Sequence, residues 1–171
     1  MPKRTKPLPP IERLQELFAY NPDTGALILR VKLGQSDAGS EPGYLNNIGY
    51  RQVYFDGKIY SVHRICWALC HGKHPTGEVD HENGNRSDNR EVNLRHATSS
   101  QNNQNRRLST RNKTGIKGVF LVKWNKETRW RVSVGHSQGQ YYITHFQCFG
   151  QAVKHSHEMR AKLHHEFARA A

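Results

Sequence analysis

Asp56-Gly57 stands between two runs of strand character, Tyr50–Phe55 and Ile59–Val62. A two-residue connection between antiparallel strands needs positive φ at its central positions, which Asp-Gly tolerates, so this dipeptide predicts a β-hairpin. The neighbouring elements are read outward from it. Upstream, Ile11, Leu14, Leu17 and Phe18 recur at helical spacing within residues 11–20, and Asn21-Pro22-Asp23-Thr24-Gly25 stops that helix with turn chemistry. Ala26–Val31 reads as a strand, and the Gly-, Ser- and Asn-rich residues 34–46 as a loop. Downstream, a short helix is predicted from about His63 to His71, closed by Pro75 and Gly77.

Residues 78–105, EVDHENGNRSDNREVNLRHATSSQNNQN, are of a different kind. They are dense in Asn, begin with Val-Asp-His, contain a strand candidate in Leu-Arg-His-Ala-Thr, and end in a segment that Ser99 is placed to cap as a helix. Residues 106–114, RRLSTRNKT, lack apolar periodicity and read as a basic linker. Beyond it, Gly115–Trp124, Arg129–Val134 and Tyr141–Phe146 are strand candidates, with a Gly-rich turn at Gly135–Gln140. Ala152, Met159, Leu163 and Phe167 then mark a helix over about 150–168. Three antiparallel strands and one covering helix make a minimal two-layer domain. The class is α+β, with a basic arm at 1–10, a first module at 11–105, the linker, and a second module at 115–171.

Composition narrows the partner. Hydrophobic residues are 35% of the 171, and mean hydropathy is −0.85, which suits small modules better than one large core. Twenty-six Lys and Arg against fourteen Asp and Glu give a formal charge of +12. Such a field attracts polyanions, and phosphate neutralisation is its usual use. No run approaches the ~20 apolar residues of a membrane helix, so no membrane partner is expected. MPKRTKPLPP has no apolar segment behind its charges and is not read as a secretory signal. Three cysteines, Cys66, Cys70 and Cys148, then predict free thiols in a reducing cytoplasm.

Phosphodiester hydrolysis needs a base for water and positive charge at the phosphate. Histidine suits the first task, and a hard divalent ion held by oxygen suits the second. Asp80 offers a carboxylate, Asn102 an amide oxygen, and His81 a base. Asp80 and His81 are adjacent, so a regular strand would point them to opposite faces; sharing one site requires the backbone to leave strand geometry there. Asn93 follows His81 by twelve residues, and Asn102 follows Asn93 by nine.

This Asp-His…Asn-Leu-Arg…Asn pattern, with the lead-in YRQVYFDGKIYSVHRICWALCHGKHP, resembles the HNH endonucleases of phage and intron homing type over residues 50–105. The resemblance implies a ββα-metal fold: a hairpin with a long loop, then a helix, around one metal ion. It implies that His81 is the general base, that Asp80 and Asn102 hold the ion, and that Asn93 orients His81 by a hydrogen bond. Asn103 is an alternative to Asn102. An amide oxygen favours Mg²⁺ or Mn²⁺ over Zn²⁺. Double-stranded DNA is the implied partner, with Arg64, Arg86, Arg90 and Arg95 as phosphate contacts. A monomer with one such site nicks, a dimer breaks both strands, and the sequence specifies neither. A non-catalytic DNA-binding regulator is the alternative.

Cys66 and Cys70, with His71 and His74 near, fall at helical spacing among apolar residues and read as core, with no fourth zinc ligand evident. His155, His157, His164 and His165 read as a solvated helical face. His63 is assigned a structural hydrogen bond.

Residues 114–167, with Gly-Ile-Lys-Gly-Val, Arg129-Trp130-Arg131-Val132 and Phe146 before an Ala-containing helix, resemble an AP2-type DNA-binding domain. Strand alternation puts Trp130, Val132 and Val134 against the helix and Arg129, Arg131 and Ser133 toward DNA. The resemblance adds Lys117, Lys123, Trp124, Gln140 and Tyr142 to the DNA face. Phe120, Val122, Gln140 and Tyr142 stand where plant members carry base-reading arginines, which leaves phosphate contact as the expected mode.

Overall fold

A computed structural model describes residues 6–125, 127–136 and 139–168. The chain divides into two compact units, Met1–Ser99 and Ser100–Ala171, with the division ahead of the expected linker at 106–114. The fold is mixed α and β, built on small antiparallel sheets, as an α+β class requires. Residues 1–5 of the expected arm lie outside the described residues. The arm's second half is not loose, because Leu8 is buried in the core.

The first unit begins with α1 (Ile11–Leu17) and β1 (Phe18–Tyr20). The helix expected through residue 20 therefore stops at Leu17. Phe18 turns extended, and Phe18–Tyr20 pairs antiparallel with β2 (Leu27–Leu29). Seven residues make a marginal helix alone, so strand pairing decides where it ends. The turn between β1 and β2 is organised by Asn21, whose Oδ1 accepts from Asp23 N (3.0 Å) and Thr24 N (3.2 Å).

The strands β3 (Tyr44–Leu45), β4 (Arg51–Phe55) and β5 (Lys58–Ser61) form one sheet, in that order. The Asp56-Gly57 turn has φ 48° and 73°, the mirror-image turn that the dipeptide predicts. It leads into α2 (Val62–His71), which ends at Gly72, ahead of Pro75 and Gly77. Phe18, Leu14, Leu29, Val62, Ile65 and Cys66 are the centre of one core. Cys66 thus packs as a small apolar residue, and burial raises its thiol pKa far above the usual range. Burial also raises Cys70, to about 11. Both are therefore neutral thiols at neutral pH.

A second hairpin pairs β6 (Glu78–His81) with β7 (Leu94–Ala97), the connecting loop closing through a 3-10 turn at Glu91–Asn93. α3 (Ser99–Asn105) follows.

In the second unit, β8 (Val119–Trp124), β9 (Glu127–Gly135) and β10 (Tyr141–Phe146) form a sheet of order β10-β9-β8, and α4 (Phe149–His164) packs on it. Val119, Val132, Val134 and Ala152 are its buried centre, with Trp130, Met159 and Leu163 packed around them. Residues 137 and 138 of the expected turn lie outside the described residues.

Candidate active site

The departure from strand geometry expected at Asp80 and His81 does not occur, because both stay in the regular β6–β7 ladder, opposite Arg95 and Leu94. Val79, Asp80 and His81 are all buried, three in succession, so both faces of β6 are covered here. His81 is the last residue of the strand, and the chain turns at once, Gly84 N donating to His81 O (2.8 Å). Asp80 lies opposite Arg95 in the hairpin register and accepts from its Nε at 3.2 Å. The Nη1 of Arg95 also lies 3.9 Å from Glu82.

The Asn-rich loop is a chain of local side-chain bonds, the chemistry that makes Asn a turn residue. Asn83 Oδ1 accepts from Asn85 N, and Asn83 Nδ2 donates to Asp88 Oδ2 (2.8 Å). Asn93 spans the loop's base: its Oδ1 accepts from Asn83 N (2.9 Å) and its Nδ2 donates to Asp88 O (2.7 Å). The expected hydrogen bond from Asn93 to His81 is therefore absent, because both ends of the Asn93 amide are engaged by the loop. The partner of His81 is Asn89, with Nε2 and Oδ1 3.1 Å apart. A carbonyl oxygen accepts, so Nε2 carries the proton and the imidazole lone pair is on Nδ1.

Asn89 is itself held from the first hairpin. Tyr20 donates its hydroxyl to Asn89 O (2.8 Å), and Glu91 N donates to Pro22 O (3.0 Å). Gly25, at φ 77°, lies so close that a Cβ there would sit 2.6 Å from Arg90 N and 2.7 Å from the Asn89 carbonyl carbon.

On its other side His81 meets aromatic rings. His63 of α2 lies 5.1 Å away between centroids and Tyr50 5.8 Å, with Tyr50 and His63 themselves 5.1 Å apart. His63 is buried, and its side chain has no hydrogen-bond partner among the described residues, so ring packing replaces the bond expected of it. Burial lowers the pKa of His63 well below 6.5, with His81 and Arg64 adding to the effect. Burial likewise lowers His81, against the opposing pull of the Asn89 bond and of Asp80 and Asp88. A histidine neutral at pH 7 is in the state a general base requires.

A pH test follows. The unfolded chain protonates His63 near pH 6.5, while the folded chain resists doing so. Its contribution to stability is thus present above about pH 6.5 and lost as pH falls below it. The thermal midpoint of the wild type should drop between pH 7 and pH 5, and drop less in His63→Gln. Asp88, lowered to about 2 chiefly by Arg90, acts only in a more acid range and leaves this window clear. Equal slopes in the two proteins would contradict the assignment.

The remaining expected contacts separate. Arg90 is exposed and forks onto Asp88 (2.8 and 2.7 Å). Arg86 donates to Ile48 O, with its Cζ 4.9 Å above the Tyr50 ring. Arg95 is the partner of Asp80 rather than an outward cation. Arg64, half-buried, donates to Gly77 O (3.1 Å). Asn102 lies half-buried on α3, in the second unit, and Asn103 beside it is exposed.

In the second unit, cross-strand register fixes which residues share the outer sheet face. Arg131 lies between Phe120 and His145, Arg129 opposite Val122, and Ser133 opposite Ile143. Trp124 shares the face, 4.3 Å from the His145 ring. Arg129, Arg131, Ser133 and Trp124 are thus together. Three residues expected with them are not. Tyr142 pairs with Val134, packs on the core, and its hydroxyl bonds His155 Nε2 (2.9 Å). Lys123, adjacent to Trp124, points to the opposite side of β8. Lys117 precedes the strand and donates to the carbonyls of Gln104 (2.7 Å) and Arg106. Gln140 is exposed just before β10. Of the four α4-region histidines, His164 is buried, bonding Gly135 O through Nε2, which corrects the solvated face expected of it.

No group of three or more His, Cys, Asp or Glu gathers among the described residues. Asp80 supplies a carboxylate, the kind of oxygen donor that a hard cation such as Mg²⁺ takes alongside water and phosphate. No helix among the described residues is long and apolar enough to cross a membrane. The chain matches no curated protein and no solved structure. Residues 60–104, which carry His63, Asp80, His81, Asn89 and Asn93, match the family model of the HNH endonucleases.

Proposed function

We propose that the chain is a divalent-metal-dependent DNA endonuclease, with its chemistry in the first unit and an additional DNA-binding face on the second. The observation that carries this reading is a buried, neutral His81, next in sequence to Asp80, whose Nε2 proton is fixed by Asn89 inside the segment similar to HNH endonucleases.

His81 Nδ1 takes the proton of the attacking water. Asn89 holds the ring and its tautomer, and Tyr50 and His63 keep it from rotating away. Asp80 would hold the ion, Mg²⁺ or Mn²⁺, which when bound supplies positive charge at the scissile phosphate. Arg95 keeps the Asp80 carboxylate oriented. Asn93 keeps the loop closed. In-line attack by water with departure of the 3′-oxygen leaves 5′-phosphate and 3′-hydroxyl ends.

The outer sheet face of the second unit supports a role in holding DNA. The Nε atoms of Arg129 and Arg131 are buried there without hydrogen-bond partners, and Phe120 lies under Arg131 at 5.5 Å. Arg129 also gives its Nη2 to Glu127 (3.0 Å), which leaves the Arg131 guanidinium as the cation of this face best suited to phosphate oxygens. A role as a homing enzyme of phage type fits both parts.

The test is conversion of supercoiled plasmid to open-circle or linear DNA with Mg²⁺ or Mn²⁺, with EDTA as control. Conversion that EDTA stops supports the reading and shows whether the protein nicks. Plasmid binding without conversion under either metal would point instead to a DNA-binding regulator.

A further inference from the structure

The solvent face of the β3-β4-β5 sheet leads into a cavity of about 330 Å³, at the small end of those that hold organic ligands. Its polar lining is Lys6, Gln52, Ser61 and Arg64, and Leu8, Ile59 and the mostly buried Tyr60 supply the rest of the wall. None of these residues belongs to the constellation around His81. Gln52 and Ser61 face each other across β4 and β5, so an amide and a hydroxyl stand side by side.

The lining is cationic and lacks an internal counter-charge. No carboxylate lines the cavity, and neither Lys6 nor Arg64 forms an ion pair among the described residues. Arg64 has five N–H donors, of which one meets a protein acceptor, Gly77 O. Burial disfavours its charge, and Glu78 offsets this in part without reaching it. Ser61 precedes α2 but its hydroxyl makes no capping bond, and the first turn of α2 borders the cavity through Ser61 and Arg64. Free first-turn N–H groups and the helix dipole add to the preference for an anion.

We propose that this cavity is a phosphate pocket that takes a backbone phosphate of a DNA strand, with its sugar against Leu8 and Ile59, at a position other than the one cut. The pocket rests on DNA being the substrate. A fork of guanidinium donors, an ammonium, a hydroxyl and an amide match the oxygens of a phosphodiester, and nothing in the lining reads a base. The contact therefore positions the strand without selecting sequence. A free nucleotide offers the same phosphate chemistry, and the experiment separates the two sources.

Duplex oligonucleotide binding is followed by fluorescence anisotropy in EDTA, so that nothing is cut, for full-length wild type, Lys6→Gln and Arg64→Gln at about 50 to 200 mM salt. Each variant should weaken binding to unrelated sequences alike, and lower the slope of log affinity against log salt by about one. Lys6 is exposed and bonds nothing among the described residues, so Lys6→Gln reports even where Arg64→Gln disturbs the Gly77 contact. Slopes unchanged in both variants overturn the pocket. Should they be unchanged while a deoxynucleoside 5′-monophosphate raises the thermal midpoint of wild type but not of Lys6→Gln, the occupant is a free nucleotide and the assignment to a strand is overturned. Lowered slopes in a protein that cuts nothing would leave the pocket standing and sink the nuclease reading; unchanged slopes with full cutting would do the reverse.

Discussion

Replacing His81 by alanine is expected to slow metal-dependent plasmid cleavage by about 10²–10⁴-fold, the usual worth of a positioned general base, while leaving DNA affinity within a few-fold of wild type. The size follows from the state of the ring. His81 is neutral, buried on three sides and fixed by Asn89, so no neighbour stands ready to take its proton-accepting role. His63 is the nearest imidazole in kind, but it is buried, its side chain has no hydrogen-bond partner among the described residues, and its expected part is to hold the ring. Single-turnover plasmid conversion measures the effect, with circular dichroism to show that the fold survives. A loss below tenfold would remove His81 from the chemistry and shift attention to water activated elsewhere.

Gly25→Ala should be nearly as damaging, from outside the segment that carries the catalytic pattern. Its backbone is left-handed, which costs an alanine roughly 1–2 kcal/mol. The new methyl would also meet the Asn89–Arg90 backbone at 2.6 to 2.7 Å, a distance at which something must move. The part free to move is the loop, and the loop carries Asn89. We expect a thermal midpoint lower by several degrees, together with a loss of kcat that exceeds what the stability change explains at a temperature where the variant is folded. Glycine at φ 77° with wild-type cleavage after substitution would show that the β1-β2 turn does not set the position of Asn89.

Parts of this architecture are legible in the residues because local chemistry decides them. Asp56-Gly57 can adopt the positive φ that few dipeptides tolerate, and the three strands and helix of the second unit carry their own periodicity. The end of α1 is not legible, since a strand partner nine residues on competes with helical spacing that continues through Phe18. Asn89 is hidden for another reason. Asn83, Asn85, Asn89 and Asn93 have the same chemistry, and closure of the loop in three dimensions decides which one meets the imidazole. Tyr50 and His63 join the site because α2 turns His63 inward, which depends on how that helix seats on the core. By contrast, a signal for one error was present: Lys123 and Trp124 are neighbours on a strand and cannot share its face.

The brace from Gly25 and Tyr20 bears on how a chain with this HNH-like segment can be rearranged by recombination. The matched segment, 60–104, looks like a cassette, yet Leu8, Leu14, Leu17, Phe18, Leu27, Leu29, Val53 and Phe55 of its core all precede it. Cut out at residue 60, the segment would lose the hydroxyl that holds Asn89 and most of the apolar surface on which α2 rests. Exchange of the module, or grafting onto a new targeting module, is therefore expected to be tolerated at a joint beyond Asn105, past α3, and not at residue 60.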